Sequence, residues 1–287
     1  DRELIVESSS RVFVERSLKA TASGATPLVG VPVKAATGGT GPPPPPNVSQ
    51  EAHAGCLSFE LSSGPSRIVV NCGMPSTGRD NWRSFARSTA AHSTLTYHDT
   101  SSCQFIELSA MKRLLQGAPV VSGPANVESY REAMADGDLL TTSHDGYLAR
   151  FGVVHRRVLM ISQDGGRLDG EDTISPAPGT RIKGAETDFA LRFHLHPAVK
   201  ASRLSDARGV MLVLPSRDVW TFEALDDKVD LEDSVFLAGN DGPPQPTDHL
   251  AQRCAGRLSC RERIPHWRRR HRSRPPALAL HATSAVS

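Results

Sequence analysis

Aromatic residues supply only 5% of this 287-residue sequence, so any core must be built mainly from aliphatic side chains. No stretch approaches the roughly 18 consecutive apolar residues of a membrane span, and no basic-then-apolar export signal is present. Because the chain starts at Asp1, that lack says nothing about compartment. The five cysteines, Cys56, Cys72, Cys103, Cys254 and Cys260, are an odd, scattered set without a CxxC pair, so thiols are expected and not a disulfide framework. A Gly-rich phosphate loop, a nucleophile elbow and an HExxH helix are all missing, and the enzyme classes built on them lose ground. Helical spacing is not sustained anywhere between residues 47 and 240 except over the short Asn81–Ala91 stretch.

What is present is turn-rich and alternating. With 21 Pro and 23 Gly, many turns and few long helices are expected. From Cys56 onward the hydrophobic pattern has period two, the mark of half-buried strands. Cys56–Leu61 and Arg67–Asn71 form a hairpin around Ser62-Ser63-Gly64-Pro65, and Ser93–His98, Gly152–Ser162, Phe189–His196, Val210–Leu214, Val219–Ala224 and Val235–Leu237 read as further strands. Asp-Gly steps beginning at 136, 145, 164, 169 and 241 supply turns between them. In Asp188–Pro197, Phe189, Leu191, Phe193 and Leu195 alternate with Ala190, Arg192, His194 and His196, which predicts a sheet covered on one side only.

The spacing divides the chain into three parts. Residues 1–41 have weak periodicity and are expected to be poorly structured. Residues 42–242 form a β-domain, opened by the polyproline II segment Pro42–Pro46. Residues 243–287 lose the alternation, become rich in Arg, Pro, Ala, Ser and His, and are expected to be disordered for want of apolar side chains. The formal charge of +2 hides this division: residues 1–249 carry 24 basic and 30 acidic side chains (−6), and residues 250–287 carry nine Arg and Glu262 (+8). Two readings of that tail stay open. An arginine-rich arm containing Trp267 would suit nucleic acid or an acidic polysaccharide. Out-of-register translation of a GC-rich gene would produce the same composition, and composition favours it.

Eleven histidines are the main supply of acid, base or metal chemistry. His194 and His196 are two apart on a strand and so share a face, as metal binding requires, but Arg192 stands on that face too. His144-Asp145 reads as a turn rather than a catalytic dyad, and His155-Arg156-Arg157 as solvated strand surface.

The string Glu51-Ala-His53-Ala-Gly-Cys-Leu-Ser-Phe59-Glu-Leu, then Arg67-Ile-Val-Val-Asn71-Cys-Gly73, then Ala91-His92-Ser-Thr94-Leu-Thr96, resembles the C-terminal β-domain of heparinase II/III-like proteins. In that family an HxHxDxGSF-type strand, a hairpin partner ending in Asp-x-Gly and an AHNT-type strand occur in this order. Ser143–Tyr147, Arg150–Arg157 and Leu191–Pro197 are similar to its bacterial members, and the resemblance covers about residues 41–242. It implies an all-β antiparallel sandwich preceded by an α/α toroid, with a uronic-acid polysaccharide held between them and cut by β-elimination. That chemistry needs the uronate carboxylate neutralised, a base for the C5 proton and an acid for the leaving oxygen.

Residue by residue, the family's catalytic histidine falls on Glu51, its metal histidine on His53, its metal aspartate on Asn71 and its third ligand on His92. A structural zinc would therefore rest on His53, Asn71 and His92, with a neutral amide where a carboxylate is the better ligand. His92, His194 and His196 would line the substrate-facing strands. The resemblance thus implies an acidic polysaccharide and a toroid domain as partners, a family often periplasmic, and a chain that should not turn over substrate by itself. The alternative is a non-catalytic carbohydrate-binding or scaffold module. Nucleic-acid binding ranks last because the body has no basic strip, and no membrane partner is implied.

Overall fold

The computed structural model describes residues 6–17, 34–37, 42–75, 80–106, 118–180, 186–205, 209–224, 228–237, 244–257 and 259–260. They build two large antiparallel sheets and a separate two-stranded one, in which Gln104–Phe105 pairs with Val120–Ser122. The strands in chain order are β1 (Val6–Ser17), β2 (Lys34–Thr37), β3 (Phe59–Ser63), β4 (Ser66–Val70), β5 (Leu95–Tyr97), β6 (Gln104–Phe105), β7 (Val120–Ser122), β8 (Val127–Met134) and β9 (Gly137–His144). They continue as β10 (Val153–Ser162), β11 (Arg167–Pro176), β12 (Glu186–Leu195), β13 (Lys200–Arg203), β14 (Gly209–Val213), β15 (Val219–Ala224), β16 (Asp230–Phe236), β17 (Gln245–Arg257) and β18 (Ser259–Cys260). Two short helices are described, α1 (Asp80–Ala86) and α2 (Leu148–Phe151).

One sheet runs β13-β14-β15-β1-β11-β10-β9-β8, with β18 beside β1; the other runs β16-β17-β12-β4-β3-β2, with β5 beside β12. Their facing sides share one core, in which Phe59, Leu61, Ile68, Leu191 and Phe193 meet Leu159, Ile174, Leu212, Trp220 and Phe222. Phe193 bridges it, with ring centroids 6.0 Å from Phe59 and 5.1 Å from Phe222. Each such large side chain contributes roughly 1.5–3 kcal/mol by leaving water. With period-two strands on both sides, this is the antiparallel sandwich that the family resemblance implies.

The β3–β4 hairpin turns where expected, because Gly64 adopts φ 55 between the paired residues Ser63 and Ser66. β15 has the residue range the alternation predicts. The Asn81–Ala91 stretch forms α1 and a 3₁₀ turn at Thr89–Ala91. Pro45, at φ −54 and ψ 153, has polyproline II geometry, but Pro46 already opens a 3₁₀ turn.

Several expectations are corrected. β1 lies inside the first sheet, between β11 and β15, so residues 6–17 are not poorly structured. β17 pairs with both β12 and β16, so the β-domain runs past 242 to at least 257. Backbone hydrogen bonding to two neighbours holds this strand despite its polar sequence. The tail was expected to be disordered from residue 243 on; residues 261–287 of it lie outside the described residues. His155 and Arg157 are not solvated: they are 0% and 1% exposed, because they alternate in phase with the buried Val153 and Leu159 of β10. Nor is β12 covered on one side only, since His194 on its second face is 3% exposed.

Candidate functional site

β4 and β5 lie on the same side of β12: Val69 and Val70 pair with Leu195 and His194, and Leu95–Tyr97 with Leu191–Phe189. The chain between them, from Asn71 to Thr94, leaves the sheet, makes α1 and the 3₁₀ turn, and comes back to the same neighbour. This excursion covers the outer face of β12, where the Ala90 carbonyl accepts a hydrogen bond from His194 Nε2 at 2.9 Å. It also meets the irregular segment 49–58 leading into β3. Arg87, 6% exposed, fastens the two, donating to the carbonyls of Ala52 at 2.7 Å and Ser49 at 3.0 Å with Phe105 beneath its guanidinium.

Glu51, His53, Asn71 and His92 are brought to this junction. His53 Nδ1 stands 3.1 Å from His92 Nε2, with the rings edge to face. His92 Nδ1 lies 2.7 Å from the Ser88 carbonyl, which can only accept. His92 Nδ1 therefore carries the proton, and its Nε2 is left to accept from the His53 ring. Burial pushes His92 down to about 4, and burial with the nearby Arg87 lowers His53, so both are neutral near pH 7. Gly55 makes room for this arrangement: a Cβ there would lie 2.4 Å from His92 Cδ2.

Glu51, standing where the family has its catalytic histidine, forms an ion pair with Arg83 of α1 at 2.5 Å and is 66% exposed at its side chain. Asn71 is used structurally. Its Oδ1 accepts from the Ser93 N–H at 2.9 Å and its Nδ2 donates to Glu60 at 3.3 Å, so it closes the excursion where it rejoins the sheet.

These residues do not fit a zinc ion. The His92 lone pair is taken by His53, the Asn71 oxygen by the Ser93 amide, and Arg83 and Arg87 add positive charge beside His53. Among the described residues no group of three His, Cys, Asp or Glu side chains is placed to hold a metal.

Of the three histidines expected to face substrate, His92 and His194 are buried, at 6% and 3% exposure, and present no ring to solvent. Burial, with His249 beside it, pushes His194 down to about 3. The neighbouring Cys72 thiol, 3.4 Å from His194 Nδ1, is pushed up to about 12 by burial, so thiol and imidazole are both neutral. His196 is partly open but lies past the end of β12, where it meets Arg67 rather than the excursion. Cys56, Cys72 and Cys103 are buried and in no disulfide.

Sequence reasoning missed the residues of α1 itself. Trp82 and Phe85, 37% and 38% exposed, pack edge to face at 6.0 Å on either side of Arg83 in sequence. The signal was available in Asn81–Ala91: a short helix whose apolar residues are aromatic and adjacent to arginine.

Also missed was a buried polar cluster between the sheets. Asp172 of β11 accepts from Arg157 Nε at 2.8 Å and Nη2 at 3.0 Å, and from His155 Nε2 at 2.6 Å. His155 Nδ1 stands 3.2 Å from His144 Nε2. The remaining Arg157 nitrogen, Nη1, crosses to the other sheet and donates to the carbonyls of Leu57 at 2.8 Å and Ser93 at 2.9 Å. Leu57 adopts φ 57, a conformation costly for a residue with a Cβ, and its carbonyl is thereby held on the guanidinium. Leu57 follows Cys56 in the segment carrying His53, and Ser93 follows His92, so this cluster anchors the candidate site from beneath.

Comparison with known proteins agrees with this architecture. The Heparinase II/III-like, C-terminal family matches residues 38–265. FtsZ-localized protein C of Caulobacter vibrioides (strain NA1000 / CB15N) is 32% identical over 229 residues, covering 78% of this chain and 37% of that protein. Crystal structures of the heparan sulfate lyase HepC from Pedobacter heparinus, mutant and otherwise, superpose with TM-scores of 0.52 and 0.50 at 13% and 14% identity. They cover 72% and 70% of this chain, and 29% and 28% of theirs. The chain thus spans less than two fifths of each relative's length, and the likeness to the lyases is one of fold. On the extent of the family match, together with a sandwich whose His53- and His92-bearing segments lie where the sequence pattern puts them, the chain belongs to the Heparinase II/III-like, C-terminal family.

Proposed function

We propose that this chain is the sugar-facing β-domain of a heparinase II/III-like protein, that it holds a uronic-acid polysaccharide along the α1 rim, and that it does not cleave that polysaccharide by itself. The observation that carries the reading is the Glu51–Arg83 ion pair. A carboxylate tied to a guanidinium stands where the family resemblance would put the histidine of β-elimination. What the rim does offer is recognition. Arg83 supplies a cation for a uronate carboxylate, and Trp82 and Phe85 supply an aromatic platform for the apolar C–H face of a pyranose ring.

A second reading, the β-half of a lyase completed by a helical domain, is favoured by His53. Burial lowers it, so its imidazole is neutral near pH 7 and could accept the C5 proton if an acid were supplied from outside this chain.

The test combines retention with turnover. The chain is passed over immobilised heparan sulfate and hyaluronan, and the ultraviolet absorbance of unsaturated uronate is followed in solution with the same polymers. Retention that Trp82→Ala and Arg83→Gln each weaken, with no absorbance rise, is the expected result. An absorbance rise with this chain alone, lost in His53→Ala, overturns the non-cleaving reading. Absence of retention on every uronate polymer overturns the polysaccharide reading altogether.

A further inference from the structure

At the other end of β4 from Asn71, four residues and about 13 Å along the strand, a second feature faces solvent. A cleft of about 440 Å³ opens there, lined by Pro65, Ser66, Arg67, His196, Pro215 and Ser216. We propose that this cleft is an oxyanion-binding site, in which a carboxylate, sulfate or phosphate group is held between the Arg67 guanidinium and His196 Nε2–H. The inference is independent of the saccharide reading of the α1 rim.

The Arg67 guanidinium brings a positive charge to this cleft. Its Nη2 lies 3.0 Å from His196 Nε2 and its guanidinium lies over the Phe236 ring, 5.5 Å from the centroid. Among the described residues no carboxylate pairs with it. Burial and the positive charge of Arg67 lower His196, so the imidazole is neutral and offers a single lone pair. Both its nitrogens nevertheless face donors: Nε2 faces Arg67, and Nδ1 faces the Ala198 N–H at 3.3 Å. One of the two contacts must therefore set N–H against N–H. With Arg67 donating to Nε2, the misfit falls at Ala198.

An oxyanion resolves it. Placed to accept from Arg67 and from His196 Nε2–H, it moves the ring proton from Nδ1 to Nε2 and frees Nδ1 to accept from Ala198. Every polar group is then satisfied, and the guanidinium gains the charge-assisted partner it lacks. The ring is also held for this role, edge to face with Phe236 at 5.3 Å, in a cleft that Pro65 and Pro215 help to line. Ser216 is not needed, since its hydroxyl is turned to Asp218 at 3.1 Å.

The experiment reads the tautomer directly. Heteronuclear NMR of the imidazole nitrogens of the full chain is recorded during separate titrations with sodium glucuronate, sodium sulfate and sodium phosphate, with sodium chloride matching ionic strength. His196→Asn assigns the signal. Without oxyanion, His196 should carry its proton on Nδ1. With the oxyanion that fits, the proton should appear on Nε2, and the arm that acts identifies the group recognised. Arg67→Gln should weaken the response about tenfold or more, the size of one lost charge-assisted hydrogen bond. Tyr130→Ala, on the remote strand β8, should leave it unchanged. No change of tautomer in any arm, an equal change with chloride alone, or an undiminished response in Arg67→Gln overturns the site.

Discussion

Two pairs of histidines in this domain meet edge to face at nearly the same separation, 5.2 Å for His53–His92 and 5.1 Å for His144–His155. Each pair has a carboxylate and an arginine nearby. At the inner pair these form one unit: Asp172 accepts from both His155 and Arg157, and all three side chains are almost wholly buried. At the outer pair they are separate, Glu51 bonding Arg83 in solvent while His53 bonds His92. Burial makes the difference. A charge between two sheets persists only if its partners are fixed and every lone pair is used, so the inner set is rigid and committed to holding the fold. At the rim water screens the Glu51 and Arg83 charges, and the carboxylate and the histidines need not satisfy one another.

The sharpest way to break this contrast is to remove the carboxylate on each side. Asp172→Ala strands Arg157 and His155 without their counter-charge and should cost about 3–5 kcal/mol in urea unfolding. A loss below 1 kcal/mol would mean that the inner set does not hold the sheets together.

Acid should act next most strongly. The folded-state values of His92 and His194, about 4 and about 3, lie below the ordinary value of 6.5. Below pH 6.5 the unfolded chain takes up protons that the folded chain refuses, so stability is full above 6.5 and falls as pH falls toward those folded values. By pH 5 each histidine should have removed about 2 kcal/mol. Unfolding midpoints measured between pH 7.5 and 5 should drop accordingly, and His92→Gln should make the dependence shallower by one histidine's share. A flat profile in the wild-type chain would show that these rings accept protons where they stand.

The smallest effect is expected at the rim. Glu51→Ala removes an exposed ion pair and should change stability by less than about 1 kcal/mol. A loss as large as that of Asp172→Ala would erase the distinction between the two clusters.

How much of this was legible depended on how cleanly each segment alternates. β3, β12 and β15 could be read because large apolar residues occupy every second position, and β4 because Ile68, Val69 and Val70 make a short β-branched run after a turn. β8 could not: it is an edge strand, and Glu128, Ser129, Tyr130 and Arg131 are all exposed, so no apolar face marks it. β9 hides its period behind the adjacent Leu139 and Leu140, and β17 is held by two neighbours rather than by hydrophobic pattern.

At the site, Glu51, His53, Asn71 and His92 of the family-like strings lie near one junction. Their partners were not legible, because Arg83, Ser88 and Glu60 reach them through the excursion's three-dimensional path. The inner cluster was misread for a different reason. His155 and Arg157 are in phase with Val153 and Leu159, but charge was given more weight than phase. Only the distant Asp172 makes their burial affordable.

The central place of β1 bears on how the domain assembles. Its neighbours β11 and β15 come from residues 167–176 and 219–224, so the hydrogen bonds that join the two halves of that sheet span more than 150 positions of chain. Loop closure over such separations is slow, and until it happens β11 and β15 each present an open edge. The earliest residues of the described chain can therefore find their places only after much of the remainder exists. The sheet should close late, as the joining of two preformed hairpin arrays around a strand that has waited for both.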